Sequence, residues 1–146
     1  MNPNKIYLVQ TDTTVGFLSR DYKKLNRIKK RDIKKPVLIE VDSLTTLKNF
    51  VRVPGKFKKR VRRAKKTTFI YPNGESFRVV KDDKHIEFLK KFNWMYSTSA
   101  NLHGERFDIK WAKQVADIVV EDKRGFFEGK PSKIYKISNC QIKKIR

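Results

Sequence analysis

Apolar residues in this chain fall in short bursts separated by polar turns. "KIYLV" (5–9), bounded by Pro3 and by "QTDTT", predicts a buried strand ending at Gln10. Tyr22, Leu25 and Ile28 then recur every third position, with Lys23, Lys24, Arg27 and Lys30 on other faces, which predicts a helix capped by Asp21. "PVLIEV" (36–41) predicts a second strand, and Asp42 or Ser43 caps a short helix through "LTTLKNF". In "KFKKRVRRAKK" (56–66), Phe57, Val61 and Ala64 stand at i, i+4 and i+7, the pattern of an amphipathic helix.

"TTFIY" (67–71), "SFRVV" (76–80) and "NWMYS" (93–97) predict strands, with Asn73-Gly74 turning a hairpin between the first two. Asp82 or Asp83 caps a helix that turns Ile86, Leu89, Phe88 and Phe92 to the core. A helix from about Asp108 carries Ile109, Ala112, Val115 and Ala116 inward and leads into the strands "DIVVE" and "KIYKI" (133–137). There is no internal repeat, low-complexity tract or linker. Alternating strands and helices over 146 residues predict one α/β domain, residues 1–146, with a single modest core.

Charge sharpens the picture. The chain carries 36 Lys and Arg against 15 Asp and Glu, a formal +21, and such a field favours polyanions. Eight of the eleven residues in 56–66 are basic: Lys56, Lys58, Lys59, Arg60, Arg62, Arg63, Lys65 and Lys66. They form either a solvated face or an RNA-binding surface. Cys140 is the sole cysteine, so no disulfide forms within the chain and a reducing compartment is expected. The N-terminal stretch lacks an apolar signal core and no run approaches the length of a membrane span, so a cytoplasmic protein with no membrane partner is expected.

Three clusters of small polar residues lie at strand ends or entries: Thr11 to Thr14, Ser97 to Asn101 and Pro131-Ser132. Each alone is ordinary turn chemistry; together they point to a pocket where hydroxyls orient a polar ligand. Lys29, Arg31 and Lys35 can converge on phosphates where a helix hands over to "KP". Arg78 interrupts an apolar strand and needs an anionic partner if it points inward. Neither GxxxxGKS/T nor GxGxxG is present, no Cys/His cluster has zinc spacing, and Cys140 has no flanking nucleophile motif. His85 and His103 are far apart in sequence and read as surface or helix-edge residues. Catalysis here would rest on binding and charge stabilisation.

These clusters line up with a known family. "TDTTVGF" resembles PTDTVYGL, "KKRDIKKPVLI" resembles KxRPxxKPLI, "TSANLHG" resembles TSANLSG and "GKPSKIYKI" resembles GVPSTIVDL, in the same order and over nearly the whole chain. The family is YrdC/TsaC, the threonylcarbamoyl-AMP synthases of tRNA modification, with the related YciO proteins. The resemblance implies a twisted mixed sheet flanked by helices around a basic concave cleft. It also implies an activity that joins L-threonine, bicarbonate and ATP, with Mg²⁺, into threonylcarbamoyl-AMP and pyrophosphate, and a partner complex that transfers the threonylcarbamoyl group to tRNA.

By motif position, Lys29, Arg31, Ser99 and Asn101 would act on ATP, with Lys35, the Ala100 backbone and Arg146 nearby. Thr11, Thr13, Arg78, Thr98 and Ser132 would surround threonine, with Arg78 at its carboxylate. The chain also departs from the pattern. Val15 stands in place of Tyr, Gln10 and Asp32 in place of Pro, "RRAKKTT" in place of WPGPLT, and the family's first helix, before the opening strand, has no counterpart. Two readings therefore stand: a compact synthase, or a relative without the ligase activity that holds double-stranded RNA, tRNA or the ribosome through 56–66.

Overall fold

A computed structural model describes residues 1–102 and 104–146. His103, expected at a surface or helix edge, lies outside the described residues. The chain runs β1 (Tyr7–Gln10), β2 (Val15–Ser19), α1 (Tyr22–Ile28), β3 (Leu38–Val41), α2 (Leu44–Lys48), a 3₁₀ turn (Gly55–Phe57), α3 (Lys58–Arg63), β4 (Thr67–Ile70), β5 (Ser76–Val79), α4 (Asp83–Leu89), β6 (Trp94–Ser99), α5 (Ile109–Val115), β7 (Ile118–Val120), β8 (Lys133–Ile137) and β9 (Ile142–Lys144). The strands form one mixed sheet in the order β7-β1-β2-β6-β3-β5-β4-β8-β9.

Local chemistry sets the helix starts. Asp21, Ser43, Asp82 and Asp108 cap α1, α2, α4 and α5, each accepting backbone N–H bonds that the first turn leaves free. The basic segment is shorter as an α-helix than its sequence pattern predicts, because residues 55–57 wind as a 3₁₀ turn and Ala64 is already extended. Its apolar face is as expected: Val61 is buried, with Phe57 and Ala64 packed beside it.

Two strands lie outside the sequence expectations. β2 pairs antiparallel with β1 across the four-residue link 11–14, and β9 pairs with β8. In β2 all five residues are buried, so "VGFLS" shows no alternation, and β9 has only three residues.

Strand register decides where the site forms. Opposed residues share a face, so Leu18 with Ser97, Gly16 with Ser99, Leu38 with Ser97, and Glu40 with both Met95 and Arg78 all lie on one side of the sheet. At one end of that side Tyr7, Val9, Leu18 and Met95 pack under α4. At the other end the side chains shrink to Gly16, Ser97, Ser99, Ser76 and Thr68, and a hollow remains. The opposite face is filled by the clusters around Phe17, Leu25 and Ala112 and around Ile39, Phe77, Leu47 and Val61.

Candidate functional site

The link between β1 and β2 builds one rim of the hollow. Thr11 Oγ1 accepts the N–H groups of Thr13 and Thr14, each at 3.2 Å, and donates to the Thr14 carbonyl at 2.5 Å. Thr11, Asp12 and Thr13 are all buried. The segment 124–132 crosses over this turn. Gly129 N donates to Thr14 Oγ1 at 3.0 Å, Phe127 N donates to Gln10 Oε1 at 2.9 Å, and Arg124 grips Asp82, Asp122 and the Gln10 carbonyl. A Cβ at Gly129 would stand 1.7 Å from the Thr13 carbonyl oxygen, so the contact requires glycine.

A second rim joins the end of α1 to the end of β6. Lys29 Nζ donates to the Ser99 carbonyl at 2.7 Å, the Ser99 hydroxyl at 3.1 Å and Asn101 Oδ1 at 3.4 Å. Arg31 donates from Nε to Asn26 Oδ1 at 2.6 Å and from Nη2 to Thr98 Oγ1 at 3.2 Å. Asn26, fully buried, also donates to the carbonyls of Ile33 and Lys35 and so fixes the loop that carries Arg31. Burial, with Arg31 and Lys35 close by, pulls the Lys29 ammonium down to about 7.

The third wall contains the buried charges. Arg78 Nε lies 3.2 Å from Asp12 Oδ1, its Nη2 lies 3.3 Å from Glu40 Oε2, and its Nη1 donates to Thr68 Oγ1 at 3.4 Å. The partner anion that the sequence demands for Arg78 is thus two carboxylates. His85 Nε2 stands 2.9 Å from each oxygen of Glu40. Burial pushes Glu40 up, but His85 and Arg78 outweigh it and hold the carboxyl down at about 2. Burial pushes the Asp12 carboxyl up despite Arg78. The Arg78–Asp12 contact is ionic only, with no hydrogen-bonding angle. Thr68 Oγ1 and Ser132 Oγ are 2.9 Å apart, and Arg146 reaches the Ser132 carbonyl at 2.9 Å and its hydroxyl at 3.4 Å.

Around these walls lies a cavity of about 290 Å³. Thr11, Thr13, Arg31, Arg78, Thr98, Ser99, Ser132 and Arg146 all line it, so the three small-polar clusters meet in one place. A neighbouring cavity of about 240 Å³ shares Thr14, Ser99 and Pro131 and adds Ala100, Asn101 and Phe107. The first lies at the lower edge of the size range of small-ligand sites, and the second is smaller.

Several expected residues sit otherwise. Lys29 lies behind the rim as a brace rather than on the cavity wall, and Lys35 is exposed. The Ala100 N–H already donates to the Val15 carbonyl at 3.0 Å, and the Asn101 amide is held by Leu102, Glu105 and Lys29. All eight basic residues of 56–66 are exposed and none lines the cavity between the three walls; Lys65 and Lys66 instead border a separate recess with Lys81 and Lys84. His85 is not a surface residue: it is fully buried, because Glu40 offers it a charged partner inside the fold. Glu40, Asp12 and Thr68 escape the sequence reading, although a Glu inside the apolar "LIEV" is the same signal that singles out Arg78.

The acids do not form a magnesium site. Asp12, Glu40 and His85 could bring ligand atoms within 4.8 Å of one another, but the Arg78 guanidinium already holds both carboxylates. Among the described residues no carboxylate lines the 290 Å³ cavity.

The family model Sua5_yciO_yrdC, described as "Telomere recombination", matches residues 1–146. The chain belongs to the Sua5/YciO/YrdC family. P. abyssi Sua5 complexed with L-threonine superposes with a TM-score of 0.82 at 15% identity, covering 98% of this chain and 50% of that one. E. coli YciO gives 0.77 at 15% identity, covering 98% and 82%. Full-length HypF in its phosphate- and nucleotide-bound form gives 0.76 at 15% identity, covering 98% and 27%. This family member therefore spans about half the length of the Sua5 chain it matches, and at these identities the structural likeness is one of fold. No curated protein sequence matches it. Among the described residues no helix is long and apolar enough to cross a membrane.

Proposed function

We propose that this family member is an L-threonylcarbamoyladenylate synthase acting in the cytoplasm and supplying a threonylcarbamoyl-transfer complex that modifies tRNA. The observation that carries the reading is the meeting of Thr11, Thr13, Thr98, Ser132, Arg78 and Arg31 in one cavity, with a second beside it that shares Ser99. That Sua5 has been seen in complex with L-threonine supports an amino-acid ligand, and that full-length HypF has been seen with phosphate and nucleotide bound is compatible with a nucleotide one.

L-Threonine lies between Thr11, Thr13, Thr98, Ser132 and Arg78. ATP extends over the Ser99 rim toward Arg31 and Arg146, braced by Lys29 and bordered by Ala100 and Asn101. Mg²⁺ arrives as the counter-ion of ATP; among the described residues the 290 Å³ cavity offers it no carboxylate, while Glu105 and Glu128 border the neighbouring one. The threonine amine condenses with bicarbonate, losing water, to give a carbamate. A carbamate oxygen bonds to the α-phosphorus while the bond to the β-phosphate breaks, releasing pyrophosphate. Every partner in that step is an anion, so cations and fixed N–H and O–H dipoles lower the barrier by aligning groups and offsetting charge. Calorimetric titration tests the assignment: L-threonine is expected to bind more tightly than L-serine or D-threonine, and Thr98→Val to weaken it. Equal affinity for all three would contradict the assignment.

A second reading, RNA binding, has its own observation. None of the eight exposed basic residues of 56–66 forms an ion pair among the described residues, and five of them, Lys58, Lys59, Arg60, Arg62 and Arg63, lie on α3. Tracking of a phosphate backbone by this face is compatible with synthesis in the cavity, and tRNA is the polyanion that such an enzyme meets.

A further inference from the structure

Behind the cavity wall a hydrogen-bonded chain runs across one face of the sheet to α4: Arg146 to Ser132, Ser132 to Thr68, Thr68 to Arg78, Arg78 to Glu40 and Glu40 to His85. Its inner end is unusual. Glu40 and His85 are each fully buried, neither touches the cavity, and neither belongs to the motifs that suggested the site. Burying two ionisable groups is costly unless they do something for each other or for a third group. Here the third group is Arg78, placed opposite Glu40 in register on the neighbouring parallel strand.

An arginine side chain has many rotamers and loses that freedom when one is fixed. Arg78 is fixed from three directions, by Glu40 on Nη2, Thr68 on Nη1 and Asp12 beside Nε. Glu40 is itself held by the imidazole of His85, whose Nε2 meets both of its oxygens, with Arg78 and the Ser97 hydroxyl as its other partners. Removing His85 would let Glu40 rotate, and removing Glu40 would let Arg78 leave the cavity wall.

We infer that Glu40 and His85 are positioning residues for amino-acid binding, acting through Arg78 to hold the Arg78–Thr68–Ser132 wall in its ligand-ready geometry. This rests on the reading of the cavity as a threonine site. It differs from a purely electrostatic role, which has the opposite sign: deleting a buried carboxylate beside Arg78 makes the wall more positive and would tighten the grip on a ligand carboxylate.

The test is calorimetric titration of L-threonine and, separately, ATP into the wild-type chain and into Glu40→Gln, His85→Ala and His85→Gln, with thermal melts to show folding. The expected result is at least a tenfold loss of threonine affinity in Glu40→Gln and His85→Ala, with ATP affinity within twofold of wild type. His85→Gln, which keeps an N–H donor near Glu40, should recover most of the loss. Unchanged or tighter threonine binding in Glu40→Gln, beside a wild type that binds threonine, overturns the inference alone. If Glu40→Gln does not fold, the His85 pair decides: equal loss in His85→Ala and His85→Gln, or none in either, overturns it. A wild type that binds no L-threonine overturns the threonine site and this inference together.

Discussion

Lys29 Nζ lies 2.7 Å from the carbonyl oxygen of Ser99, 70 residues away in sequence, and 3.1 Å from that residue's hydroxyl. One ammonium therefore ties the end of α1 to the end of β6 and fixes the rim shared by the two cavities. Lys29→Met keeps the length and apolar stem but leaves the Ser99 and Asn101 acceptors unpaired. ATP affinity is expected to fall about tenfold or more, the loss of one or two charge-assisted bonds, while threonine affinity changes little. Titration of both ligands checks the split.

The same lysine gives the protein a pH signature. Its proton is held more weakly in the fold, at about 7, than in the unfolded chain, near 10.5. Between those values the unfolded state binds more protons, so this group makes stability rise with pH from about 7 to 10.5; below 7 both states are protonated and the slope vanishes. Urea unfolding at pH 7, 8 and 9 should show the rise in wild type and a smaller one in Lys29→Met. A bound phosphate favours the charged amine, so ATP binding at pH 8 should take up a proton, visible as heats that depend on the buffer.

Gly129→Ala should disturb the site from outside it. The added Cβ would meet the Thr13 carbonyl oxygen at 1.7 Å, so the crossing segment or the 11–14 turn has to move. Overpacking of this kind costs about 1–3 kcal/mol. A lowered melting temperature together with weaker threonine binding is the expected outcome, and a melting temperature equal to wild type would show that the segment yields freely.

Substitution of Lys58, Arg62 and Lys65 by Gln probes the surface face. Each phosphate contact adds about 0.7–0.9 to the slope of log affinity against log salt. If the face binds RNA, the triple variant should bind it more weakly with a flatter salt dependence, while threonine and ATP affinities stay at wild-type values. An unchanged salt slope would return 56–66 to the status of a solvated face.

Much of this was legible in the sequence because it is local. The cap at Asp21, a cap at Asp82 or Asp83, a helix from about Asp108 and the strand "KIYKI" follow from short-range chemistry, and the small-polar clusters mark strand ends whatever the fold does with them. That the clusters meet depends on strand order, which they do not encode; the family resemblance carried that step. β2 stayed hidden because its five residues are all buried and carry no alternation. His85 reads as a surface or helix-edge residue because nothing near it in sequence marks a buried partner, and only the sheet places Glu40 beneath it. Two opposite charges inside separate apolar strands, Glu40 and Arg78, were the one signal of that buried pairing.

The central claim is that the cavity makes threonylcarbamoyl-AMP. The most direct measurement incubates the purified protein with ATP, Mg²⁺, bicarbonate and labelled L-threonine, with pyrophosphatase present, and follows label into the adenylate beside a Lys29→Ala control. The predicted result is product that requires all three substrates and disappears in the control. No product from a folded wild type that binds RNA tightly would contradict the synthase and leave the basic face as the working surface.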